Sequence, residues 1–418
     1  MERLGHTIRC LARQQGINVK RLKRRQRVMP VPLLSATLRM ADVILAARAL
    51  MHPGTRSGGE GLQRLARAVK ARFSVAHAGF YMGGRASLCA VVRALGLTPG
   101  DEVLIPAFTC QCVVNALRYE GIEPVYVDIE LDTYGMDASL VERALTGKTR
   151  AILIQHTFGM PGRDLENLLA LARGRGLYVI EDCAHATGGR WRGKLLGTLG
   201  DIGFFSSERS KIINTIHGGF VITDNPEIGR RLEQDAARLT PAPPEFTRRI
   251  LWTLIHSYFT HSCPFRFVTS GLAEGLLSDR LVPQMHDEEL AGAPCSQYHW
   301  SLPHAVAPLM MQQLSRVDRQ LAERRRAAEK WAVWCLRNGL EPPKPSPDAT
   351  PTWLRFPVRV DPAIKKNYAY LEKRLGADVG VWFQSAAHPL PMALQECPRG
   401  MEAAATCINL PTLDPSRA

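Results

Sequence analysis

The chain has 418 residues, 45% of them hydrophobic and 22% charged, which excludes a disordered polymer and leaves enough apolar material for a large core in two or three domains. The net charge of +14 is uneven: residues 1–72 carry sixteen Lys and Arg against Glu2, Asp42 and Glu60, so the remainder is almost neutral and overall basicity is no argument for nucleic-acid binding. The ten cysteines show no zinc-ligand spacing, Cys110 and Cys112 being the one close pair. They read as reduced thiols of a cytoplasmic protein without a metal site. No apolar run is long enough to span a bilayer, and the N-terminus lacks the apolar stretch of a secretory leader.

Residues 1–72 read as a basic N-terminal extension, with a cluster at Lys20, Arg21, Lys23, Arg24, Arg25 and Arg27. Residues 31–50 look helical and amphipathic, and 52–59, rich in Gly, Ser and Pro, read as a hinge. An amphipathic stretch beside a basic cluster suits loose contact with an anionic membrane surface, and equally a solvated arm packing across a dimer.

From Phe73 the pattern changes. Val103–Ile105, Pro124–Val127, Ala151–Gln155 and Tyr178–Glu181 read as short buried strands, alternating with helices at Val113–Tyr119, Ser139–Leu145 and Leu165–Arg173. The alternation predicts an α/β domain over 73–310, a mostly parallel sheet covered by helices, with functional residues at the strand ends. Pro241–Pro244 opens an insertion at about 241–295, whose apolar stretch Ile250–Phe259 suits packing on its own domain first, and otherwise a partner subunit or a membrane surface. Residues 311–418 are expected to form a charged helix over Leu314–Leu336, a linker at Pro342–Pro351, and a small α+β domain. That domain would hold a strand near Trp353–Val360 and a helix near Ile364–Leu375. No internal repeat is evident.

The strongest signal is an ordered set of motifs. GRASL (Gly84–Leu88) opens a helix and PGDEVLIP (Pro99–Pro106) follows. VYVDIELDTYGMD (Val125–Asp137), QHTFGM (Gln155–Met160) and VIEDCAHATGG (Val179–Gly189) come next. GTLGDIGFFSSERSK (Gly197–Lys211) closes the series before Gly218–Gly219. In this order and spacing the set resembles the DegT/DnrJ/StrS sugar aminotransferases, enzymes of fold type I that use pyridoxal phosphate (PLP). The resemblance runs from about residue 75 to about 230 and resumes weakly at Cys397–Pro411.

The resemblance implies a large α/β domain with a seven-stranded-type sheet, a small C-terminal α+β domain over the site, and a homodimer. It implies an aminotransferase that takes an amino group from an amino-acid donor, glutamate by analogy, and gives it to a nucleotide-linked keto sugar in polysaccharide or amino-sugar biosynthesis. Lys211 matches the family's cofactor-linking lysine, whose amine also moves the proton during transfer. Relatives that act as sugar dehydratases carry histidine there, and Lys211 argues against that activity. A non-catalytic protein on the same fold is the other reading.

Asp182 matches the carboxylate that keeps the cofactor's pyridine nitrogen protonated. His185 matches the residue near the phenolic oxygen; a structural buried histidine is the plainer alternative. Gly84, Arg85 and Ala86 open the helix expected to hold the phosphate through its N–H groups, and Ser206 matches the family's phosphate-binding serine. His156, after another strand, is a candidate for the site wall.

Three departures stand out. Arg85 and Ala86 replace the usual Thr and Ser. Cys110 replaces the aromatic residue that stacks on the cofactor; its sulfur can cover the ring without stacking, and Phe108 is a candidate substitute. Where relatives carry an Asn-Tyr-Arg stretch that reaches the partner's site, this chain has His299–Trp300–Ser301, which leaves His299 as the candidate substrate contact.

Overall fold

The computed structural model describes residues 31–34, 36–52, 60–277, 281, 282, 289 and 291–414. Seven strands form the centre: β1 (His77–Tyr81), β2 (Glu102–Pro106), β3 (Glu123–Val127), β4 (Thr149–Gln155), β5 (Tyr178–Asp182), β6 (Ile202–Ser206) and β7 (Gly219–Thr223). They lie in the order β1-β7-β6-β5-β4-β2-β3. Pairing is parallel from β6 across to β3, whereas β7 runs antiparallel to both β6 and β1. Every residue of β6 and β7 is buried, as expected of strands covered by helices on both faces. The expected seven-stranded sheet is extended to nine by two-residue edge strands at Thr240–Pro241 and Trp300–Ser301.

The predicted strands and helices of the large domain lie within one or two residues of their expected places. The helix opened by Gly84 runs to Leu95 (here α3) and stops at Gly96, whose φ of 71° suits the left-handed turn that ends a helix.

The N-terminal part differs from expectation. Residues 31–34 and 36–39 are not helical; Val31 instead bridges to Ala377 of the C-terminal domain. Helices α1 (Met40–Met51) and α2 (Glu60–Phe73) follow. Val43, Ala46, Leu65, Val69 and Phe73 are buried in the main core, each large apolar side chain contributing about 1.5–3 kcal/mol. Asp42 is fully buried and accepts from Arg316 and Gln312. The described part of the extension is therefore packed, because its apolar stripe completes the large domain's core. The cluster Lys20–Arg27 and residues 53–59 of the expected hinge lie outside the described residues.

In the insertion, helix Pro244–Ser257 buries Ile250, Leu251 and Leu254 against the same core, in line with packing on its own domain. The expected charged helix runs over Val317–Arg337 and is preceded by a separate helix, Ala307–Leu314. Its charge is not all solvated: Arg324 is buried, donating from Nη1 to Leu354 O (2.9 Å) and Thr412 Oγ1 (2.7 Å). In the small domain, strand Phe356–Arg359 pairs antiparallel with Cys407–Leu410, and the expected single helix is broken at Asn367.

Candidate active site

The parallel strands deliver their C-terminal residues to one edge of the sheet. Gln155 at the end of β4 sits in register with Asp182 at the end of β5, and Asp182 with Phe204 of β6. Side chains from these ends and the loops after them line a cavity of about 360 Å³. Gly84, Arg85, Cys110, His156, Asp182, His185, Ser206 and Lys211 all line it. Ala86, buried in the first turn of α3, contributes no lining atoms. His299 does not line it either: it is exposed at the far edge of the sheet, its carbonyl accepting from Thr240 Oγ1 at 3.2 Å.

Lys211 stands on the loop after β6. The loop is closed by Ser207 N to Gly218 O (2.8 Å) and Thr215 N to Ser207 O (2.7 Å), and tied to the C-terminal helices by Asn214 N to Gln313 Oε1 (2.8 Å). Ser210 takes a φ of 70°, a conformation that costs a non-glycine residue about 1 kcal/mol and that the closed loop enforces just before the lysine. Burial holds the Lys211 amine below the ordinary lysine range, opposed by the charges of Glu208, Cys110 and Asp182. A buried amine that sheds its proton readily is the form able to attack a carbonyl.

Asp182 accepts from Ala184 N at 2.9 Å through Oδ1, and burial pushes its carboxyl up from the usual carboxylate range. Such a carboxylate gains by receiving a positively charged N–H donor. His185 Nδ1 accepts from Phe158 N at 3.2 Å, so the neutral ring carries its proton on Nε2. Burial pushes His185 well below its ordinary value, which keeps the ring neutral. At the other end, the first N–H groups of α3 have no acceptor within the helix and form a site for an anion. A methyl at Gly84 would stand 3.0 Å from Ser206 Cβ, so the helix start approaches Ser206 as closely as only glycine allows. The Arg85 side chain is committed elsewhere, 2.5 Å from Glu289 Oε1 and 3.3 Å from Glu208 Oε2, leaving the backbone to hold a phosphate.

His156 is fully buried beneath the cavity, with Nε2 3.0 Å from Glu181 Oε2. Glu181 also accepts from the backbone N–H groups of Gly197, Leu199 and Gly200. His156, Glu181 and Cys183 bring possible donor atoms within 4.8 Å of one another.

Cys110 and Cys112 both line the cavity. A hydrogen bond from Cys112, with the nearby charges of Lys211 and Arg85, lowers the Cys110 thiol to about 7 against the opposing effect of burial. Phe108 is no substitute ring: it lies fully buried among Tyr134, Phe158 and Phe383 and contributes nothing to the lining. The aromatic wall comes instead from Trp382 and Phe383 of the C-terminal domain, joined there by Arg355 and His388. None of these four was marked in the sequence. The one local signal is the aromatic pair followed by His-Pro at Trp382–Pro389, which carries meaning only once the small domain is folded over the large one.

Amine, carboxylate, neutral imidazole and helix N-terminus thus surround one cavity, and together they suit PLP: a carbonyl for Lys211, a pyridinium for Asp182, a phosphate for α3. The architecture is that of the fold type I PLP-dependent transferases. Among solved structures it aligns with S. venezuelae DesV over 90% of each chain (TM-score 0.67, 24% identity). It aligns with Bacillus subtilis NtdA bearing the cofactor PMP over 94% of this chain and 82% of that one (TM-score 0.69, 20% identity). Residues 39–238 match the model of the DegT/DnrJ/EryC1/StrS aminotransferase family.

Among curated relatives, GDP-perosamine synthase of Escherichia coli O157:H7 is 39% identical over 169 residues, 40% of this chain and 46% of that protein. L-glutamine:2-deoxy-scyllo-inosose aminotransferase of Streptoalloteichus tenebrarius is 29% identical over 323 residues, 77% of this chain and 68% of that protein. The match thus spans less than half the length of the first of these relatives.

Proposed function

We propose that the protein is a PLP-dependent aminotransferase that passes an amino group from an amino-acid donor, glutamate, to a keto sugar carried on a nucleotide. The observation that carries this reading is the placement of Lys211 and Asp182 in one cavity, with a depressed amine and a raised carboxyl. PLP, when bound, supplies the electron sink that makes a hydrogen on the amino-bearing carbon acidic. Asp182 would hold a proton on the ring nitrogen, and the His185 Nε2–H would donate to the ring oxygen. The α3 N–H groups and Ser206 fix the phosphate. Lys211 Nζ would link the cofactor and would be the group that moves a proton at the substrate carbon. Cys110, which lines the cavity, would offer a polarizable sulfur to the ring.

A nucleotide-linked sugar is the proposed acceptor because relatives are named for such substrates, GDP-perosamine synthase among them. We further propose a homodimer in which the segment around His299, remote from its own cavity, serves the partner's. No helix among the described residues is long and apolar enough to cross a membrane. A cytoplasmic location, with loose contact of the basic Lys20–Arg27 cluster to an anionic lipid surface, completes the proposal. Purified protein incubated with glutamate and a panel of nucleotide keto sugars should yield an aminated sugar by mass spectrometry. No aminated product across the panel, with glutamate unconsumed, would overturn the reading.

A further inference from the structure

Cys110 and Cys112 stand on either side of Gln111, the first residue of a helix over Gln111–Tyr119 of which Cys110 is the N-cap. Their thiols are hydrogen-bonded to each other, and both line the cavity that contains Lys211. Both are half-buried, whereas six of the nine described cysteines are buried outright and Cys295 of the insertion is the remaining one.

The two thiols are not equivalent. Cys112 donates to Cys110 from its side chain and its backbone N–H, and the positive charges of Lys211 and Arg85 act on Cys110 as well. The N-terminus of the helix adds to the same effect. Cys110 is thereby the thiol that ionises near neutrality, while the bond to Cys110 together with burial pushes Cys112 well above its ordinary value. Burial likewise pushes up Cys89, Cys183, Cys335, Cys397 and Cys407. A thiolate at a helix start, flanked by cations and open to a cavity, is the reactive form of cysteine.

We propose that Cys110 is a site of oxidation by hydroperoxides, with Cys112 as the thiol that resolves it to a reversible disulfide. The Cys110 thiolate attacks one peroxide oxygen. An S–O bond forms, the O–O bond breaks, and the other oxygen leaves as water or an alcohol after taking a proton. The Cys112 sulfur then attacks the Cys110 sulfenic acid. The S–S bond forms, the S–O bond breaks, and water leaves with the Cys112 proton. Two thiols have lost two electrons and the hydroperoxide has gained them. The chain bends into a helix at Gln111, so the Cα atoms are closer than the about 7 Å that two extended residues span, within reach of a disulfide. A ring closed over three residues is strained, and strained disulfides are the easily reduced kind.

The position gives the reaction a consequence. Cys110 pairs with His388 where the small domain meets the large one, so its sulfur lies where both close on the cavity. Oxidation turns that sulfur toward Cys112 and removes a negative charge that, with Glu208 and Asp182, offsets the burial of Lys211. Bound cofactor in turn covers Cys110, so the empty protein is the form that oxidises. The inference goes beyond the aminotransferase reading and needs only that a cofactor occupies this cavity.

Full-length protein is treated with hydrogen peroxide at neutral pH, with PLP and after its removal. The tryptic peptide Ala94–Arg118, which carries both thiols and no other cysteine, is followed by mass. Without PLP it should lose two hydrogens roughly threefold to fivefold faster than free cysteine oxidises, the gain in thiolate fraction less the nucleophilicity that a lower value costs. Dithiothreitol should restore it, and PLP should slow the loss in proportion to occupancy. The oxidised protein should bind PLP roughly threefold to tenfold more weakly, the scale of a sulfur–ring contact. In Cys112→Ser, Cys110 should stop at a sulfenic acid captured by dimedone; in Cys110→Ser, Cys112 should give none. Cys295→Ser should change nothing.

A peptide that stays reduced overturns the proposal, as does one that oxidises equally fast with PLP bound or an oxidised protein of unchanged PLP affinity. These wild-type measurements decide whether or not the variants fold. Sulfenic acid on Cys112 in Cys110→Ser, with none on Cys110 in Cys112→Ser, would reverse the two roles and overturn the assignment of Cys110.

Discussion

His156 Nε2 and Glu181 Oε2 lie 3.0 Å apart, both side chains wholly inaccessible to solvent, directly under the cavity. Burial alone would raise the Glu181 carboxyl. The bond to His156 and those from Gly197 and Gly200 N–H outweigh it and hold the group below its ordinary value of 4.5. A depressed folded-state value means that this carboxylate stabilises the protein above its unfolded value and loses that contribution as pH falls through the lower folded one. Glu181→Gln should therefore lower stability at neutral pH by about 3 kcal/mol and flatten the acid limb of the stability curve below about pH 4.5. Urea midpoints measured from pH 3 to pH 7 check both effects; an unaltered acid limb would count against the assignment.

Lys211→Ala should abolish the visible absorption of lysine-linked cofactor and slow amino transfer by roughly 10^3-fold or more, the scale of a lost proton carrier. The pH dependence of cofactor capture adds a second measurement. Capture by apoprotein should accelerate with rising pH and level off below the ordinary lysine value of 10.5, because burial depresses the amine. Glu208 is the strongest charge opposing that depression, so Glu208→Gln should move the limb to lower pH. Stopped-flow absorbance with apoprotein and free cofactor reads the shift, and a limb moving upward would refute it.

Asp182→Asn should still take up PLP but react with glutamate roughly 100-fold more slowly, about 2.7 kcal/mol of lost stabilisation for a protonated pyridine. The neutral amide can keep the bond from Ala184 N, so the fold around β5 should persist. Single-turnover rates near those of wild type would rule out the role.

Gly84→Ala tests the phosphate end. The added methyl would meet Ser206 Cβ at 3.0 Å and Oγ at 3.4 Å, so the helix start must withdraw by a few tenths of an ångström from the serine beside it. Cofactor affinity should fall by about tenfold, equivalent to about 1.4 kcal/mol. Thermal stability of the apoprotein should change little, since the shift is confined to one turn. Equilibrium titration with PLP checks the first, and calorimetry of the apoprotein the second.

The large domain was legible in the chain because its information is local. Apolar runs of strand length alternate with helical periods, and a residue at a strand's end is placed by the strand itself, so Asp182 and His156 could be assigned to one rim before any fold was known. Ser206 and Lys211 were legible only through the family resemblance, and Gly84 because it opens a helix. What the sequence could not decide was which distant segments close the cavity. Arg355, Trp382 and His388 come from a domain more than 140 residues beyond Lys211, and their approach depends on contacts such as Arg324 with Thr412 and Val31 with Ala377. The N-terminal extension misled for the same reason: its charge suggested membrane contact or a solvated arm across a dimer, while an apolar stripe, Leu65, Val69 and Phe73, had its partner only in the assembled core. Periodicity shows that a face will be buried; the tertiary structure alone decides against what, because burial is settled by complementary surfaces far apart in the chain.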